Sequence, residues 1–322
     1  MIQVDRLAAF TLDRVERWHA VLVASYGHDL PGETVPTPVQ ISAAALRSRV
    51  ARWTATVDGA VVGVASLRMF DDPDRARLGE VGLHVHPDHR RQGIGSRLLD
   101  TVIAHARADG RNSLVAEVAG DTPGVPFSEA RGFTCVLSLT RLLLRLDDGT
   151  HKELAEAPHP GYRLVRWAGA APDDLVEAFV VAKQAMTETP AGDEGFGGIH
   201  WSVKRVREMA RTVADRGDGL YTVGVTSEAD GTMAGFTEIV VPGGDPRRAI
   251  QYDTVVVAPH RGRGLGLWAK AAMLEWLRSE RPDVREVETD NADTNRYMLA
   301  VNERLGFRPH GQTREYQVVL DS

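Results

Sequence analysis

Apolar and polar residues alternate in short runs that predict β-strands, and apolar residues recur at helical spacing between those runs. In the first half of the chain, the predicted strands are residues 2–7, 52–57, 60–70, 79–85, 113–118 and 134–146. The predicted helices there are residues 12–25, 41–50 and 126–131, and a segment that aligns Leu98, Leu99, Val102, Ile103 and Ala106 on one face. Asp58-Gly59 marks the turn of a hairpin.

The second half of the chain repeats this order of elements. Its predicted strands are residues 162–167, 220–226, 232–241, 251–257, 284–289 and 315–320. Its predicted helices are residues 173–186, 202–213 and 295–304, and a segment that turns Leu267, Ala271, Leu274 and Leu277 inward. We therefore predict two α+β domains, residues 1–146 and 162–322, joined by an acidic, proline-containing linker at residues 147–161.

One short phrase occurs in both halves, each time after a strand and before a helix. It reads His89-Arg90-Arg91-Gln92-Gly93-Ile94-Gly95 in the first half and His260-Arg261-Gly262-Arg263-Gly264-Leu265-Gly266 in the second. Gly132-Phe133 and Gly306-Phe307 follow at nearly the same separation along the chain. This regularity indicates that a whole domain has been duplicated.

The phrase has the chemistry of an anion site. A glycine-rich turn that opens a helix presents unpaired main-chain N–H groups and the positive end of the helix dipole, which suit phosphate or pyrophosphate. The arginines add positive charge. A plain glycine turn with solvated arginines is an equal alternative for one copy, and the second copy in the same setting favours anion binding.

The spacing of glycine and basic residues within the phrase indicates which family of anion-binding loops it resembles. Neither copy has the Gly-x-Gly-x-x-Gly of Rossmann domains or the Lys-Ser or Lys-Thr of a Walker motif. Both copies instead resemble the acetyl-CoA loop, Gln/Arg-x-x-Gly-x-Gly/Ala, of the GCN5-related N-acetyltransferase (GNAT) superfamily. The resemblance spans nearly the whole chain, as a tandem two-domain member with a mycothiol-synthase-like architecture.

The resemblance implies two GNAT-type domains, each a mixed, mostly antiparallel twisted sheet flanked by helices. It implies acetyl-CoA as cosubstrate, with its pantetheine arm paired to the fourth strand where the fourth and fifth strands splay apart. In the first domain the implied cofactor residues are Leu83, His84, Val85, Arg90, Arg91, Gln92, Gly93, Ile94 and Gly95. In the second they are Val255, Val256, Val257, Arg261, Gly262, Arg263, Gly264, Leu265, Gly266, Asn291 and Asn295. Helix capping is the alternative role for the two asparagines.

In this family an amine attacks the thioester directly, so a base or a water relay must first remove a proton from the ammonium. The candidate carboxylates are Glu80 in the first domain and Glu238 and Asp253 in the second. A solvent-facing carboxylate is the alternative for each, and we favour it for Glu80. The hypothesis is that Glu238 or Asp253 is the base.

The chain departs from the family at the tyrosine that commonly protonates the leaving thiolate. Ser128 and Asn302 stand at that position in the two halves. Tyr252 and Tyr297 are candidate substitutes for this proton donor, and we predict that Tyr297 is catalytic. The alternatives are that these tyrosines pack in the core and that a water molecule donates the proton. Because Asn295 matches the family's asparagine, we expect the second domain to be catalytic and the first to bind acetyl-CoA structurally or to be weakly active.

Composition and charge limit the kinds of ligand and partner that we expect for this protein. The net charge of −6 argues mildly against nucleic acid, and the chain lacks a membrane-spanning run and a signal-peptide pattern. The single cysteine, Cys135, excludes an internal disulfide. His84, His86 and His89 have no further ligand at helpful spacing, so we expect no metal. We expect a cytoplasmic monomer or homodimer.

The expected activity is acetyl transfer to the primary amine of a small molecule, such as a metabolite, an antibiotic or an amino sugar. The alternative is a non-catalytic acyl-CoA-binding or sensor protein, which the missing tyrosine favours. Protein acetylation is a weaker third hypothesis. The glycine-rich stretch at residues 187–201, with Asp193 and Glu194, is interpreted as an acceptor-side lid or as a plain connector.

Overall fold

The computed structural model describes residues 1–33, 35–47, 49–71, 75–148, 151–187 and 200–320. Its strands are β1 (Gln3–Arg6), β2 (Arg49–Val57), β3 (Ala60–Met69), β4 (Leu78–Val85), β5 (Ser113–Ala119), β6 (Thr134–Arg145), β7 (Tyr162–Ala168), β8 (Gly219–Ser227), β9 (Met233–Val241), β10 (Arg248–Val256), β11 (Glu286–Ala292) and β12 (Arg308–Val319). Its α-helices are α1 (Leu12–Asp29), α2 (Pro38–Arg47), α3 (Ile94–Ala108), α4 (Gly124–Ala130), α5 (Lys152–Ala155), α6 (Val176–Thr187), α7 (Val203–Asp215), α8 (Leu265–Glu280) and α9 (Arg296–Arg304). None of the helices in these ranges is long and apolar enough to cross a bilayer.

The chain folds into two compact units, Met1–Ser138 with Thr313–Ser322, and Leu139–Gln312. The strand order is β1-β2-β3-β4-β5-β12 in the first unit and β7-β8-β9-β10-β11-β6 in the second. The described strand pairs are antiparallel except β4–β5 and β10–β11, which are parallel. The prediction of α+β units with mixed, mostly antiparallel sheets is confirmed.

The last strand of each unit comes from the other half of the sequence. In the second unit β6 pairs with β11, from Leu139↔Ala292 to Arg145↔Glu286. In the first unit β12 pairs with β5, from Thr313↔Ala119 to Val319↔Ser113. The units therefore do not coincide with residues 1–146 and 162–322, because apolar alternation predicts that a strand forms without naming its partner.

Each exchanged strand is held in its unit by side chains that are buried in the core of that unit. Leu142 and Leu144 of β6 are buried in the main core of the second unit. Tyr316 of β12 is fully buried in the core of the first unit, and its hydroxyl donates to Glu129 at 3.0 Å. Each exchanged strand thus supplies apolar surface that its unit needs.

The segment expected to be a linker, residues 147–161, packs on the second unit where it is described. His151 is buried, its Nε2 lies 2.7 Å from the carbonyl oxygen of Leu305, and its main-chain N–H donates to Glu275. The indole N–H of Trp268 on α8 donates to the carbonyl oxygen of Ala155. These contacts bind the segment to α8 and α9.

Several predicted boundaries differ from the structure by a few residues, and two of the differences have a clear description. The helix predicted at residues 41–50 ends at Arg47, and β2 begins at Arg49. The strand predicted at residues 315–320 begins much earlier, at Arg308. Pro309 and Gly311 hide this part of the strand from a pattern search, since both residues are rare in strands.

Candidate active site

The two arginine-glycine loops adopt the same backbone path. Arg91 and Gly262 have φ of +61° and +76°, and Gly93 and Gly264 have φ of +84° and +75°. Gly93 and Gly264 are the N-caps of α3 and α8, and they need the left-handed conformation that glycine adopts at little cost. Left-handed residues at every second position turn successive main-chain N–H groups toward one point, and these groups form a concave anion site.

Main-chain donors are available in both loops. The first helical hydrogen bonds run from the Arg97 N–H to the Gly93 oxygen and from the Trp268 N–H to the Gly264 oxygen. The amides just before them therefore have no acceptor within their helix. This arrangement fits a phosphate or pyrophosphate group at either loop.

The arginines of the two loops differ in their surroundings. Arg90 donates to both carboxylate oxygens of Asp29, at 2.8 and 2.7 Å, so its charge is compensated within the protein. Burial alone would raise the pKa of Asp29, but the hydrogen bonds from Arg90 and His28 hold it below its usual value. Arg261 and Arg263 of the second loop are exposed. Arg261 Nε donates to the Val256 oxygen, as Arg90 Nε donates to the Val85 oxygen.

In both units the fourth and fifth strands separate toward the loop. β4 pairs with β5 only at Leu78–Glu80, and β10 pairs with β11 only at Arg248–Ile250. Beyond those residues, the strand pairing described for β4 and β10 is on the other side only. Residues 83–85 and 255–257 thus lie along a gap between the two strands. The carbonyl oxygens of Val85 and Val256 accept hydrogen bonds from Arg90 and Arg261 there, and the rest of the strand edge suits an extended ligand that pairs with it.

A β-bulge marks β10 of the second unit. Gln251 pairs with Ile239 and Thr254 with Thr237, so Tyr252 and Asp253 together oppose the single residue Glu238. The extra residue re-aims the side chains of the bulged strand, as bulges beside active sites commonly do.

A side-chain network supports the bulge. Gln251 donates from Nε2 to the main-chain oxygen of Glu238 at 2.6 Å and to the Thr237 hydroxyl at 2.9 Å. The hydroxyls of Thr237 and Thr254 lie 2.8 Å apart. Polar groups that the interrupted ladder leaves open are thereby satisfied.

A buried lysine joins the two candidate carboxylates. Lys183 of α6 places Nζ 2.5 Å from Glu238 Oε2 and 3.0 Å from Asp253 Oδ2. The side chains of Lys183 and Glu238 are fully buried, whereas that of Asp253 is 32% exposed. The structure thus brings Glu238 and Asp253 into one cluster, and Lys183 is a member that the sequence reasoning missed.

Aromatic rings complete the surroundings of Lys183. Its Nζ lies 4.5 Å from the ring centroid of Trp201, 5.0 Å from that of Phe236 and 5.3 Å from that of Phe179. Ring faces attract a cation, and more strongly where water is excluded. The ammonium group is therefore held by two carboxylates and three rings.

Burial raises the pKa of the Glu238 carboxyl to about 7. The charge of Lys183 opposes the rise, and the charge of Asp253 adds to it. A carboxyl group that changes charge near neutral pH is well matched to proton transfer with an amine.

The site can now be set beside known proteins. The family model described as Acetyltransferase (GNAT) family matches residues 15–133 and again residues 188–307. The chain belongs to this GNAT acetyltransferase family. The two matches cover most of the sequence and include both arginine-glycine loops, so the predicted tandem arrangement is confirmed.

Individual relatives agree with this assignment. The chain is 29% identical to a mycothiol acetyltransferase of Saccharomonospora viridis, over 77% of this chain and 76% of that protein. It is 28% identical to a mycothiol acetyltransferase of Clavibacter sepedonicus, over 83% of this chain and 84% of that protein. A tandem GNAT protein from the clavulanic acid biosynthesis pathway, solved without AcCoA, is 30% identical with a TM-score of 0.79, over 100% of this chain and 99% of that one.

The position of the GNAT tyrosine holds a fixed asparagine in the second unit. Asn302 is fully buried, and its Nδ2 donates to Asn291 Oδ1. Asn295 is the N-cap of α9 and accepts from the Met298 N–H at 3.1 Å, as the capping alternative predicts. Tyr297 is 57% exposed and Tyr252 is 39% exposed, so neither is a core residue.

The first GNAT unit has no comparable cluster at the equivalent place within the described residues. Its β3–β4 pairing is regular, and Ser66 pairs with Gly82 at the level that Glu238 and Asp253 occupy in the second unit. Glu80 forms a half-exposed ion pair with Arg68 at 3.4 Å, which agrees with its expected solvent-facing role.

His84, in the gap of the first unit, lies 3.5 Å from the Ser25 hydroxyl through its Nδ1. Burial lowers its pKa to about 4, so the ring is neutral at physiological pH. The lid hypothesis for residues 187–201 concerns a stretch of which residues 188–199, with Asp193 and Glu194, lie outside the described part of the chain.

Proposed function

We propose that this GNAT protein transfers the acetyl group of acetyl-CoA to the primary amine of a small molecule, and that the second unit does so. The observation that carries the proposal is the cluster of Lys183, Glu238 and Asp253. It lies on and beside β10, the strand that leads into the second anion loop. A titratable, partly buried group next to a cosubstrate site is what removal of a proton from an amine requires.

Different parts of the second unit bind different parts of acetyl-CoA and the acceptor in this proposal. The amides of the loop at Gly264, with Arg261 and Arg263, hold the pyrophosphate, and Val255–Val257 pair with the pantetheine arm. Main-chain N–H groups of β10 stabilise the negative charge that develops on the thioester oxygen. Asp253 meets the acceptor ammonium, because it is the partly exposed carboxylate of the cluster.

The first unit has a different role in this proposal. It binds acetyl-CoA as a structural ligand or weakly, since its loop has the same backbone but its Arg90 is paired with Asp29. We place the reaction in the cytoplasm, without nucleic acid, in a monomer or homodimer. The acceptor is a small molecule, in line with the relatives whose names refer to mycothiol.

The second candidate function is a non-catalytic acyl-CoA-binding or sensor protein. Asn302 favours it, because a buried amide bound to Asn291 cannot give a proton to a leaving thiolate. The two candidates differ in whether coenzyme A is released from acetyl-CoA when an amine is present.

The test is thiol release from acetyl-CoA with a panel of primary amines, with amine-free controls, alongside calorimetric titration of acetyl-CoA. We expect amine-dependent release that Gly264→Glu abolishes and Gly93→Glu leaves in place, since each glutamate places a negative charge in one anion loop. Binding without release for any amine would support the sensor. No binding to either loop would contradict both candidates.

A further inference from the structure

Exposure divides the cluster of Lys183, Glu238 and Asp253 into an inner and an outer part. The side chains of Lys183 and Glu238 have no contact with solvent, whereas that of Asp253 is 32% exposed. Among these three residues, Asp253 is therefore the one that solvent reaches. Both carboxylates contact the same Lys183 ammonium, at 2.5 Å for Glu238 and 3.0 Å for Asp253, so they lie beside each other.

The charges of the cluster do not balance when every group is ionised. Two carboxylates face one ammonium, which leaves one excess negative charge in a largely buried place. Burying an uncompensated charge is costly, and taking up one proton removes that cost. The cluster is therefore built to hold one proton more than its ionised form.

The added proton belongs on Glu238. The rings of Trp201, Phe236 and Phe179 surround the Lys183 ammonium, and ring faces attract a cation. Glu238 Oε1 is buried and receives no hydrogen bond from a described residue. Oε1 is thus the atom open to protonation, while Oε2 remains bonded to Lys183.

Titratable groups face Glu238 from two of the neighbouring elements. Lys183 faces it from α6, and Asp253 with Tyr252 from β10. The residue paired with it on β8 is Thr222, which carries no charge. Protonation of Glu238 is therefore governed by Lys183 and Asp253 among the described residues.

We propose that Lys183, Glu238 and Asp253 form a proton store, in which Glu238 takes up through Asp253 the proton that the acceptor ammonium loses, and Lys183 is the positioning residue that fixes the charge of the store. The inference rests on the proposed acetyl transfer. It assigns separate roles to two carboxylates that were otherwise equivalent candidates for the base.

The protons and bonds of the reaction balance. The acceptor ammonium gives one proton to Asp253, which passes it to Glu238, and the free amine attacks the thioester carbonyl carbon. A carbon–nitrogen bond forms and the carbon–sulfur bond breaks, with its electron pair leaving on the thiolate. The second proton of the nitrogen goes to the thiolate, and the stored proton returns to solvent through Asp253.

Lys183 sets the proton affinity of the store. Without its charge, Glu238 and Asp253 would repel each other unopposed, and the proton would be held more tightly. Lys183→Met keeps a long apolar side chain and removes the ammonium. We expect the acidic limb of the pH–rate profile, along which the rate rises as the base loses its proton, to move to higher pH, with about a tenfold loss of kcat/KM at pH 7 for each unit of displacement.

The test has one arm that needs no acceptor. Infrared difference spectra of the full chain, recorded through neutral pH, follow the carbonyl stretch of protonated carboxyl groups in wild type and in Lys183→Met, Glu238→Gln and Glu80→Gln. We expect a buried carboxyl group in wild type that titrates near neutral pH. It should titrate at higher pH in Lys183→Met, vanish in Glu238→Gln and persist unchanged in Glu80→Gln.

The second arm is the pH–rate profile with an amine that the thiol-release screen identifies. A titrating carboxyl group that vanishes in Glu238→Gln, together with a displaced acidic limb in Lys183→Met or retention of the wild-type acidic limb in Lys183→Arg, supports the store. A wild-type spectrum without that group overturns it, even where acetyl transfer is active. If Lys183→Met does not fold, the Glu238→Gln spectrum and the Lys183→Arg profile decide. Absence of transfer with the infrared signal present would instead count against the proposed function alone.

Discussion

The two units share a fold and an anion loop but differ where β3 meets β4 and β9 meets β10. In the first unit the pairing is regular and brings Ser66 opposite Gly82. In the second, one extra residue in β10 sets Tyr252 and Asp253 against Glu238. The comparison teaches that the arginine-glycine loop and the bulged cluster of Lys183, Glu238 and Asp253 are separable features of this fold, because the first unit has the same loop backbone and a regular β3–β4 pairing.

The arginines of the loops extend the same contrast. Arg90 is bound to Asp29 and stabilises the first unit, while Arg261 and Arg263 are exposed at the second loop. The contrast concerns Arg90 and its counterpart Arg261, because the first loop also has an exposed arginine, Arg91, that an anionic ligand can meet.

The largest effect is expected from Asp253→Asn. Loss of the carboxylate that meets the ammonium should lower the rate of amine-dependent thiol release by about 10²- to 10⁴-fold, the usual range for loss of a general base. The matched control is Ser66→Ala in the first unit, which should leave the rate unchanged. Equal losses for the two variants would break the comparison between the units.

A pH dependence of stability should follow from Glu238, whose pKa is raised by burial from 4.5 to about 7. Between those values the folded chain keeps a proton that the unfolded chain has lost, so the free energy of unfolding falls as pH rises. The fall attributable to Glu238 is on the order of 3 kcal/mol. Chemical denaturation of wild type and Glu238→Gln at several pH values measures it, and parallel curves would contradict the buried state of Glu238.

Asp29→Ala tests the structural role assigned to the first loop. Removing the partner of half-buried Arg90 should destabilise the protein by about 2 kcal/mol. Thermal unfolding measures the loss, while the second unit should keep its rate of thiol release. A rate that falls with stability unchanged would mean that the first unit takes part in catalysis.

The smallest effect is expected from Glu80→Gln. Glu80 and Arg68 are nearly half exposed, and such ion pairs contribute little. The change in unfolding free energy should be less than about 0.5 kcal/mol, and thiol release should be unaffected. A clear loss of activity would return Glu80 to the candidate bases.

Much of the architecture could be predicted from the sequence because it depends on local patterns. The arginine-glycine phrases and the Asp58-Gly59 turn have signatures within a few residues, and Glu238 and Asp253 follow from their places on predicted strands. The bulge has no such signature, since one extra residue in a strand leaves the apolar pattern nearly intact. The sequence therefore identifies Glu238 and Asp253 as candidates without showing that the bulge sets them opposite each other.

Lys183 was missed because its importance depends on tertiary structure. Its helix, α6, is largely apolar, and a lysine there is readily taken for one that reaches solvent. A signal did exist, since lysine occurs only four times in a chain rich in arginine. Strand partners were equally beyond prediction, because β6 and β12 pair with strands far away in sequence.

The exchange of β6 and β12 has a consequence for how the chain matures during synthesis. The first unit acquires its sixth strand only when Thr313–Val319 have been translated, long after β5. A ribosome-bound intermediate that stops after residue 146 therefore presents β5 as an open edge, which is prone to pairing with other chains. Although the gene product reads as two domains in a row, the first half cannot finish folding before the second, and a cut between them would yield two incomplete sheets.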